Sequence, residues 1–265
     1  MNRIDRKFRE LKGDGKKALS IFLTAGFPSM QATEKLVAEL PASGVDLFEI
    51  GFPFSDPIAD GPLIQKSSEE SLKKGMTWKR MLESVRRIRR KTQVPLILMT
   101  YANALYCRGW EQSIREMARA GFDGAIIPDV IPEEGKALEG LFRKSGLRLT
   151  YLVSPTSSDH RIQMISRRSS GFIYCVSVTG VTGARSALPV SEIRQFLRSV
   201  RRSSKVPVLL GFGISKPGHL QAFKRSADGF IIGSAFIKLL DENRALPSLI
   251  QKAKRFISPF TLQSR

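Results

Sequence analysis

The stretch Phe48-Glu-Ile-Gly-Phe-Pro-Phe-Ser-Asp-Pro-Ile-Ala-Asp-Gly-Pro62 carries one carboxylate in a short apolar run and two more in the loop that follows. Period-two alternation sends Glu49 to the same face as Leu47 and Gly51, where a core residue is expected. A buried carboxylate must be paired, hydrogen-bonded or protonated. Because a protonated carboxyl suits general acid or base catalysis, Glu49 is a candidate catalytic residue. The alternative is a structural Glu paired with a buried Lys or with backbone amides.

Short apolar runs alternate with amphipathic helical patterns along the whole chain. The apolar runs cover residues 18–24, 47–51, 95–99, 124–127, 147–152, 172–176, 206–210 and 229–232. The helical patterns cover residues 32–40, 78–89, 112–120, 133–144, 158–166, 190–201, 217–223 and 235–242. Eight such units predict an α/β fold, a closed (β/α)8 TIM barrel, with an open doubly wound sheet as the alternative.

The ends of the chain and its composition complete the fold prediction. Residues 1–11 are helical in pattern and rich in charge, and we expect them to form a helix that caps the bottom of the barrel. No Ser/Gly/Pro-rich linker divides the chain, so residues 1–265 are predicted to form a single TIM-barrel domain. No run of about eighteen apolar residues occurs and the N-terminus is charged, so we expect a soluble cytoplasmic protein.

Two bulk properties limit the class of function. The sequence contains two cysteines, Cys107 and Cys175, and two histidines, His160 and His219, so we expect neither a disulfide framework nor a metal site. The net charge of +19 comes from short basic clusters late in the predicted helices, where cations complement the helix dipole and stay solvated. We therefore expect no nucleic-acid or membrane partner. Nucleic-acid binding would require these clusters to form one continuous face.

Three loops that follow predicted strands hold the candidate chemistry, because barrel enzymes place their active sites at the carboxyl ends of the strands. The loop after the second strand carries Asp56 and Asp60 between prolines, and the loop after the sixth strand, residues 177–184, is rich in Gly and Thr. Gly211-Phe-Gly-Ile-Ser215 follows the seventh strand and Gly233-Ser234 opens the helix after the eighth. Glycine lets amide groups approach phosphate oxygens, so the last two loops predict binding of a phosphate ester.

Read together, these segments resemble the tryptophan synthase alpha subunit family over nearly the whole chain. The resemblance rests on residues 48–62, Ser177-Val-Thr-Gly-Val-Thr-Gly-Ala-Arg185, Gly211-Phe-Gly-Ile-Ser215 and Ile232-Gly-Ser-Ala235. Supporting stretches are Phe22-Leu-Thr-Ala-Gly26, Tyr101-Ala-Asn103 and Ile127-Pro-Asp129, in the family's order. The resemblance implies a TIM barrel that reversibly cleaves indole-3-glycerol phosphate to indole and glyceraldehyde 3-phosphate. It implies no cofactor in this chain.

The resemblance also implies a role for individual residues. Glu49 matches the family's acid/base carboxylate, and Asp60 matches the carboxylate that assists at the indole nitrogen. The positions that match the family's substrate pocket and phosphate surroundings are Phe22, Tyr101, Tyr174, Thr182, Gly183, Phe212, Gly213, Gly233 and Ser234. Each also has a plain reading, as a core aromatic, a turn glycine or a hydroxyl bonded to its own backbone.

The family passes indole to a pyridoxal-phosphate-dependent beta subunit, so the resemblance implies that partner, in an alpha2-beta2 tetramer. Pro53, Asp56 and Asn103 are the candidate interface residues. Three alternatives stay open. The chain could be a weakly active subunit that mainly activates the beta subunit, a different barrel enzyme acting on a phosphorylated sugar or indole ester, or a nucleic-acid-binding module.

Overall fold

The computed structural model describes residues 1–176, 189–211 and 213–264, and in them parallel strands alternate with helices as the apolar pattern predicts. The strands are β1 Ala18–Thr24, β2 Leu47–Gly51, β3 Leu96–Met99, β4 Gly124–Ile126, β5 Arg148–Thr150, β6 Leu152–Val153, β7 Ile173–Val176, β8 Val208–Gly211 and β9 Gly229–Ile232. The helices are α1 Arg3–Gly13, α2 Met30–Glu39, α3 Pro62–Lys73, α4 Trp78–Arg89, α5 Ala102–Tyr106, α6 Trp110–Ala120, α7 Pro132–Lys144, α8 Asp159–Arg168, α9 Val190–Ser203, α10 Pro217–Phe223, α11 Ser234–Glu242 and α12 Leu246–Ser264.

The strands form one sheet in the order β5-β4-β3-β2-β1-β9-β8-β7-β6. Its two outermost strands, β5 and β6, are consecutive in the chain and are separated only by Tyr151. β5 pairs with β4, β6 pairs with β7, and the Tyr174 amide donates to the Tyr151 carbonyl at 3.1 Å. The sheet therefore closes into a (β/α)8 barrel. This confirms the predicted TIM barrel over the open sheet. The run at residues 147–152, predicted as one strand, is divided where it changes partner.

The first helix closes the bottom of the barrel as predicted. Asn2 caps α1 by accepting from the Ile4 amide, and its side-chain amide donates to the carbonyls of Asp123 and Gly146 at 2.8 and 2.9 Å. The apolar stripe of α1 is buried, with Phe8 against Phe172 at a ring-centroid distance of 6.0 Å. The helix thus covers the amino ends of the strands and leaves their carboxyl ends open.

Within the described residues, three α-helices are absent from the apolar pattern: α3, α5 and α12. The buried face of α3 is lined by Ser67, Ser68 and Ser71, so it shows no apolar stripe in the sequence. The Ser71 hydroxyl donates to the Ala25 carbonyl at 2.5 Å, and the Ser67 hydroxyl lies 2.6 Å from that of Thr24. These hydrogen bonds hold α3 against β1 and so fix the end of the loop that carries Asp60.

Candidate active site

Glu49 lies in the middle of β2 and is completely buried. It pairs with Phe22 of β1 on one side and Ile97 of β3 on the other, so its side chain points to the same face of the sheet as theirs. No described Lys, Arg or His forms a salt bridge with it. Glu49 is therefore not paired with a buried Lys among the described residues.

The only hydrogen bond described for the Glu49 carboxyl comes from Ser20 of β1. Ser20 Oγ donates to Glu49 Oε1 at 2.8 Å, and both residues are 0% exposed. Glu49 Oε2 is buried and has no hydrogen-bond partner among the described groups. Burial raises the pKa of Glu49 to about 8, and the Ser20 hydrogen bond opposes part of that rise. At neutral pH the group is therefore mostly protonated.

Asp60 ends the loop after β2 and is 7% exposed. The Tyr101 hydroxyl donates to Asp60 Oδ2 at 3.1 Å and accepts from the Ala59 amide at 3.0 Å, so one phenol holds both the carboxylate and its backbone. Burial raises the pKa of Asp60 to about 6, and the Tyr101 hydrogen bond opposes the rise. The two carboxyls thus differ, with Asp60 mostly ionised at neutral pH and Glu49 mostly neutral.

Two adjoining pockets open beside these carboxyls. One is lined by Phe22, Asp60, Ile64, Met99, Tyr174, Gly213, Ile214, Ile231, Gly233 and Ser234. The other is lined by Phe22, Gly51, Phe52, Phe54, Asp60, Ser68, Met99, Thr100, Tyr101 and Pro128. Phe22, Asp60 and Met99 line both pockets, so the two lie side by side. Their walls are mostly apolar, and their polar groups are few.

Tyr174 on β7 ties this pocket to both carboxyls. The pKa of its phenol is raised far above the usual value, first by burial and then by the charges of Glu49 and Asp60. A Cβ at Gly211 would lie 2.4 Å from the Tyr174 hydroxyl, and a Cβ at Gly51 would lie 2.6 Å from the Phe22 ring. Both glycines therefore make room for the aromatic side chains that line the pocket.

The far end of the pocket is built from backbone. Gly213 has a positive φ of 78°, which favours glycine, and Gly233 is the residue before the first turn of α11, which begins at Ser234. The first amides of a helix lack partners within the helix and attract anions, which is suited to a phosphate group. Both glycines and Ser234 line the same pocket as Asp60.

The structure brings most of the predicted site residues together. Phe22, Tyr101, Tyr174, Gly213, Gly233 and Ser234 all line the two adjoining pockets. Thr182, Gly183 and Phe212 lie outside the described residues. Ser20, Ile64 and Met99 were missed. For Ser20 a signal was present, because it lies two residues before Phe22 on the same strand and therefore on the same face.

The residues predicted to face a partner lie on the loops after β2 and β3. Asp56 and Asn103 are exposed, whereas Pro53 is buried within the chain. Three large apolar side chains on this rim are exposed and were not predicted: Ile58 at 76%, Tyr106 at 67% and Ile131 at 40%. They lie on or just beyond the segments that follow β2, β3 and β4, three neighbours in the sheet. The rim therefore offers apolar surface next to the pocket.

The described residues form neither a group of metal ligands nor a membrane-spanning helix. Across residues 1–176, 189–211 and 213–264, no three His, Cys, Asp or Glu side chains are grouped so as to hold a metal ion. Within the same residues, no helix has the length and apolar character needed to span a membrane.

Comparison with known proteins identifies the family. The family model for the tryptophan synthase alpha chain matches residues 8–261. The tryptophan synthase alpha chain of Geobacter sp. (strain M21) is 44% identical over 258 residues, which are 97% of this chain and 96% of that protein. The tryptophan synthase alpha chain of Citrifermentans bemidjiense is 45% identical, with the same coverage of both chains.

Solved structures agree with the sequence relatives. Tryptophan synthase subunit alpha from Legionella pneumophila str. Paris superposes with a TM-score of 0.91 at 34% identity, covering 99% of this chain and 98% of that one. A chain of Mycobacterium tuberculosis tryptophan synthase superposes with a TM-score of 0.89 at 30% identity, covering 100% and 98%. With the barrel, the pocket and the family match in agreement, this chain belongs to the tryptophan synthase alpha chain family.

Proposed function

We propose that this chain is a lyase of tryptophan biosynthesis that reversibly cleaves indole-3-glycerol phosphate to indole and glyceraldehyde 3-phosphate. One observation carries the proposal. Glu49 and Asp60 are buried carboxyls with separated pKa values, about 8 and about 6. Asp60 lines a mostly apolar pocket together with Phe22, the residue that pairs with Glu49 across β1 and β2. Gly213, Gly233 and Ser234 line the same pocket. An apolar ring and a phosphate require this combination.

Glu49 is the proposed general acid and base. In its protonated form it donates a proton to indole C3, which leaves a positive charge on the ring system. The bond between C3 and the glycerol chain then breaks, and its electron pair restores the neutral indole. The hydroxyl on the departing carbon becomes the aldehyde and returns its proton to the Glu49 carboxylate. The proton count closes, so the step needs no metal or organic cofactor in this chain.

Asp60 is proposed to act on the other side of the ring. Its mostly ionised carboxylate stabilises the positive charge that develops at the indole nitrogen, and a charge held in a water-poor site is worth more than in water. The Tyr101 hydrogen bond supports this role, since it favours the ionised form of Asp60 and fixes its position. Phe22, Tyr174 and Met99 supply apolar walls for the ring.

The phosphate is proposed to lie at the amide end of the pocket. Gly213 and Gly233 let the backbone approach the phosphate oxygens. Ser234 begins a nine-residue helix, and the first amides of a helix are suited to bind an anion such as this phosphate. Thr182, Gly183 and Phe212 match the family's pattern, and we assign them to substrate binding on that ground. Because a phosphorylated substrate is charged and does not cross membranes freely, we place the reaction in the cytoplasm.

We further propose that a pyridoxal-phosphate-dependent beta subunit docks on the rim of this pocket and receives the indole, in an alpha2-beta2 tetramer. The exposed apolar side chains Ile58, Tyr106 and Ile131 support a partner there, together with exposed Asp56 and Asn103. Buried Pro53 is assigned to shaping the loop that meets the partner. The cofactor belongs to that partner.

The deciding experiment measures indole release from indole-3-glycerol phosphate by the chain alone and with added beta subunit. Wild type, Glu49→Gln and Asp60→Asn are compared at matched concentration and pH. We expect turnover that the partner raises and that both substitutions reduce by several orders of magnitude. Undiminished turnover in Glu49→Gln would overturn the assignment of the acid. No turnover in any state, with faster beta-subunit chemistry on addition of the chain, would replace the lyase by an allosteric activator.

A further inference from the structure

The positive charge of the chain is concentrated on one side of the barrel, which the proposed lyase does not use. A cavity at the bottom of the barrel is lined by Phe8, Arg9, Leu11, Lys12, Gly15, Lys16, Lys17, Arg201, Ser204, Lys205, Val206, Pro207 and Asp228. A groove between α9 and α10 is lined by Arg194, Arg198, Gln221, Ala222, Lys224, Arg225 and Ser226. A third hollow, on α9, is lined by Gln195, Arg198, Arg201 and Arg202.

These three hollows adjoin one another. Arg201 lines both the bottom cavity and the hollow on α9, and Arg198 lines both that hollow and the groove beside α10. Together we call them the basic face. Eleven Lys and Arg side chains and one carboxylate, that of Asp228, line it. The lining side chains carry a net charge of about +10, and the Asp14 carboxylate, 2.8 Å from Lys16, lowers it to about +9, roughly half of the +19 of the whole chain.

The arrangement follows from the two stripes of α9. Ile193, Phe196, Leu197 and Val200 are buried against the barrel. Arg194, Arg198, Arg201 and Arg202 recur at intervals of three and four residues and lie on the outer side, where all four are exposed. They span about 12 Å along the helix axis, at 1.5 Å per residue. The helix thus presents a row of cations, and its one exposed large apolar side chain is Val190 in the first turn, at 43% exposure.

Much of this charge is uncompensated. Arg9, Lys12, Arg198, Arg202, Lys205 and Arg225 form no salt bridge with a described carboxylate. Asp228 contacts Arg201 at 3.2 Å and Lys17 at 3.9 Å, and so compensates only part of the cavity. Six uncompensated cations on a concave surface repel one another, and an anion with many charges relieves this repulsion.

We propose that the basic face binds the phosphodiester backbone of a nucleic-acid duplex without regard to sequence. A membrane surface is the less favoured occupant. Helices that lie on membranes present a stripe of aromatic or aliphatic side chains to the bilayer, whereas α9 exposes one large apolar side chain, Val190, in its first turn. Single strands are less favoured because their binding sites carry exposed aromatics for stacking, and the aromatic that lines the basic face, Phe8, is buried.

This inference revises the expectation that the basic clusters are separate solvated helix ends. Nucleic-acid binding was expected to require a continuous basic face. The basic face provides one by bringing the cluster on and after α9 next to Lys16 and Lys17, whereas the cluster at the end of α4 does not line it. The basic face lies beside the amino ends of β1, β8 and β9, whereas the substrate pocket lies at the carboxyl ends. A bound duplex therefore leaves the pocket open, and the inference does not depend on the proposed lyase activity.

The test measures fluorescence anisotropy of a labelled 20-base-pair RNA duplex and of the matching DNA duplex, titrated with the full chain at several salt concentrations. If about six phosphates are neutralised, affinity is expected to fall on the order of 10³-fold between about 50 and 200 mM salt. The triple variant Arg198→Glu, Arg202→Glu and Lys205→Glu is expected to lose at least about tenfold in affinity and to reduce the salt slope by about three.

A matched control removes the same charge elsewhere. Arg86, Arg90 and Lys91 are exposed at the end of α4, so changing all three to Glu lowers the net charge equally. We expect this control to bind within about threefold of wild type, and circular dichroism checks that both triples fold. If the Glu triple unfolds, the same three positions are changed to Gln instead. The salt slope is again expected to fall by about three, because Gln also forms no ion pair with phosphate, and the loss of affinity is expected to be smaller than for Glu.

Three results would overturn the proposal. The first is absence of duplex binding at about 50 mM salt, because binding through phosphate contacts is tightest at low salt. The second is an equal loss in both triple variants, which would show that total charge and not the basic face governs binding. The third is co-sedimentation with phosphatidylserine vesicles without duplex binding, which would make the occupant a membrane surface.

Discussion

Replacing Ser20 by Ala tests whether the Ser20 hydrogen bond lowers the pKa of the buried Glu49 carboxyl. The Ser20 hydroxyl donates to Glu49 Oε1 at 2.8 Å in a site from which water is excluded. Such a hydrogen bond stabilises the folded protein by about 1.5–3 kcal/mol when the acceptor is charged and by about 0.5–1.5 kcal/mol when it is neutral. The difference of about 1.4 kcal/mol corresponds to roughly one pKa unit. Ser20→Ala should therefore raise the pKa of Glu49 from about 8 to about 9.

Two measurements follow this shift. The carboxyl band of Glu49, isolated as the infrared difference between wild type and Glu49→Gln, gives the pKa directly in the chain without substrate. The pH dependence of kcat/KM for indole formation gives it in function. Because Glu49 acts first as the protonated acid, its ionisation ends activity at high pH, and that alkaline limb should move up by about one unit.

Ser84 provides the matched control. Like Ser20 it is buried, at 2% exposure, but its hydroxyl has no hydrogen-bond partner among the described residues. It lies on α4 and does not line the pocket. Ser84→Ala should leave both titrations unchanged. A Glu49 pKa that stays at its wild-type value or falls in Ser20→Ala would refute the reasoning about the hydrogen bond. Unchanged activity in Glu49→Gln would instead refute the assignment of the acid.

Further predictions concern stability and the shape of the pocket. The folded-state pKa of Glu49 lies above its unfolded value of 4.5, so this carboxyl lowers the stability of the fold as the pH rises from the unfolded towards the folded pKa. Glu49→Gln should therefore raise the free energy of unfolding, measured by urea denaturation. The increase should be about 4 kcal/mol at pH 8 and almost nothing at pH 4. Tyr101→Phe removes the hydrogen bond that lowers the pKa of Asp60, so less Asp60 should be ionised at pH 6. The value of kcat/KM should therefore fall more at pH 6 than at pH 8. An equal fall at both pH values would contradict this. Gly51→Ala places a Cβ 2.6 Å from the Phe22 ring, so the ring should be displaced into the pocket. The KM for indole-3-glycerol phosphate should rise by about tenfold, with a smaller change in kcat. Unchanged kinetics would show that the ring moves aside freely.

The strand that carries Glu49 illustrates how far a local pattern reaches. Alternation over residues 46–51 places Glu49 on a face that should hold core residues. In the structure Glu49 is 0% exposed and points to the same side of the sheet as its partners Phe22 and Ile97. The pattern failed for α3, whose buried face is made of serines that hydrogen-bond to β1 and its loop. It also merged β5 and β6, because a change of pairing partner at Tyr151 leaves no mark in composition.

Local order along the chain was enough to predict the eight strand and helix units, the inward carboxylate and the position of Gly213 and Gly233 after their strands. These depend on periodicity and on residue types that act over a few neighbours. Contacts between distant residues were not predictable in this way. Ser20 and Glu49 are 29 positions apart, and the pKa of Glu49 depends on that contact and on complete burial. The basic face likewise joins α1, α9 and α10 only after the barrel closes, since long-range packing alone brings their cations to one side.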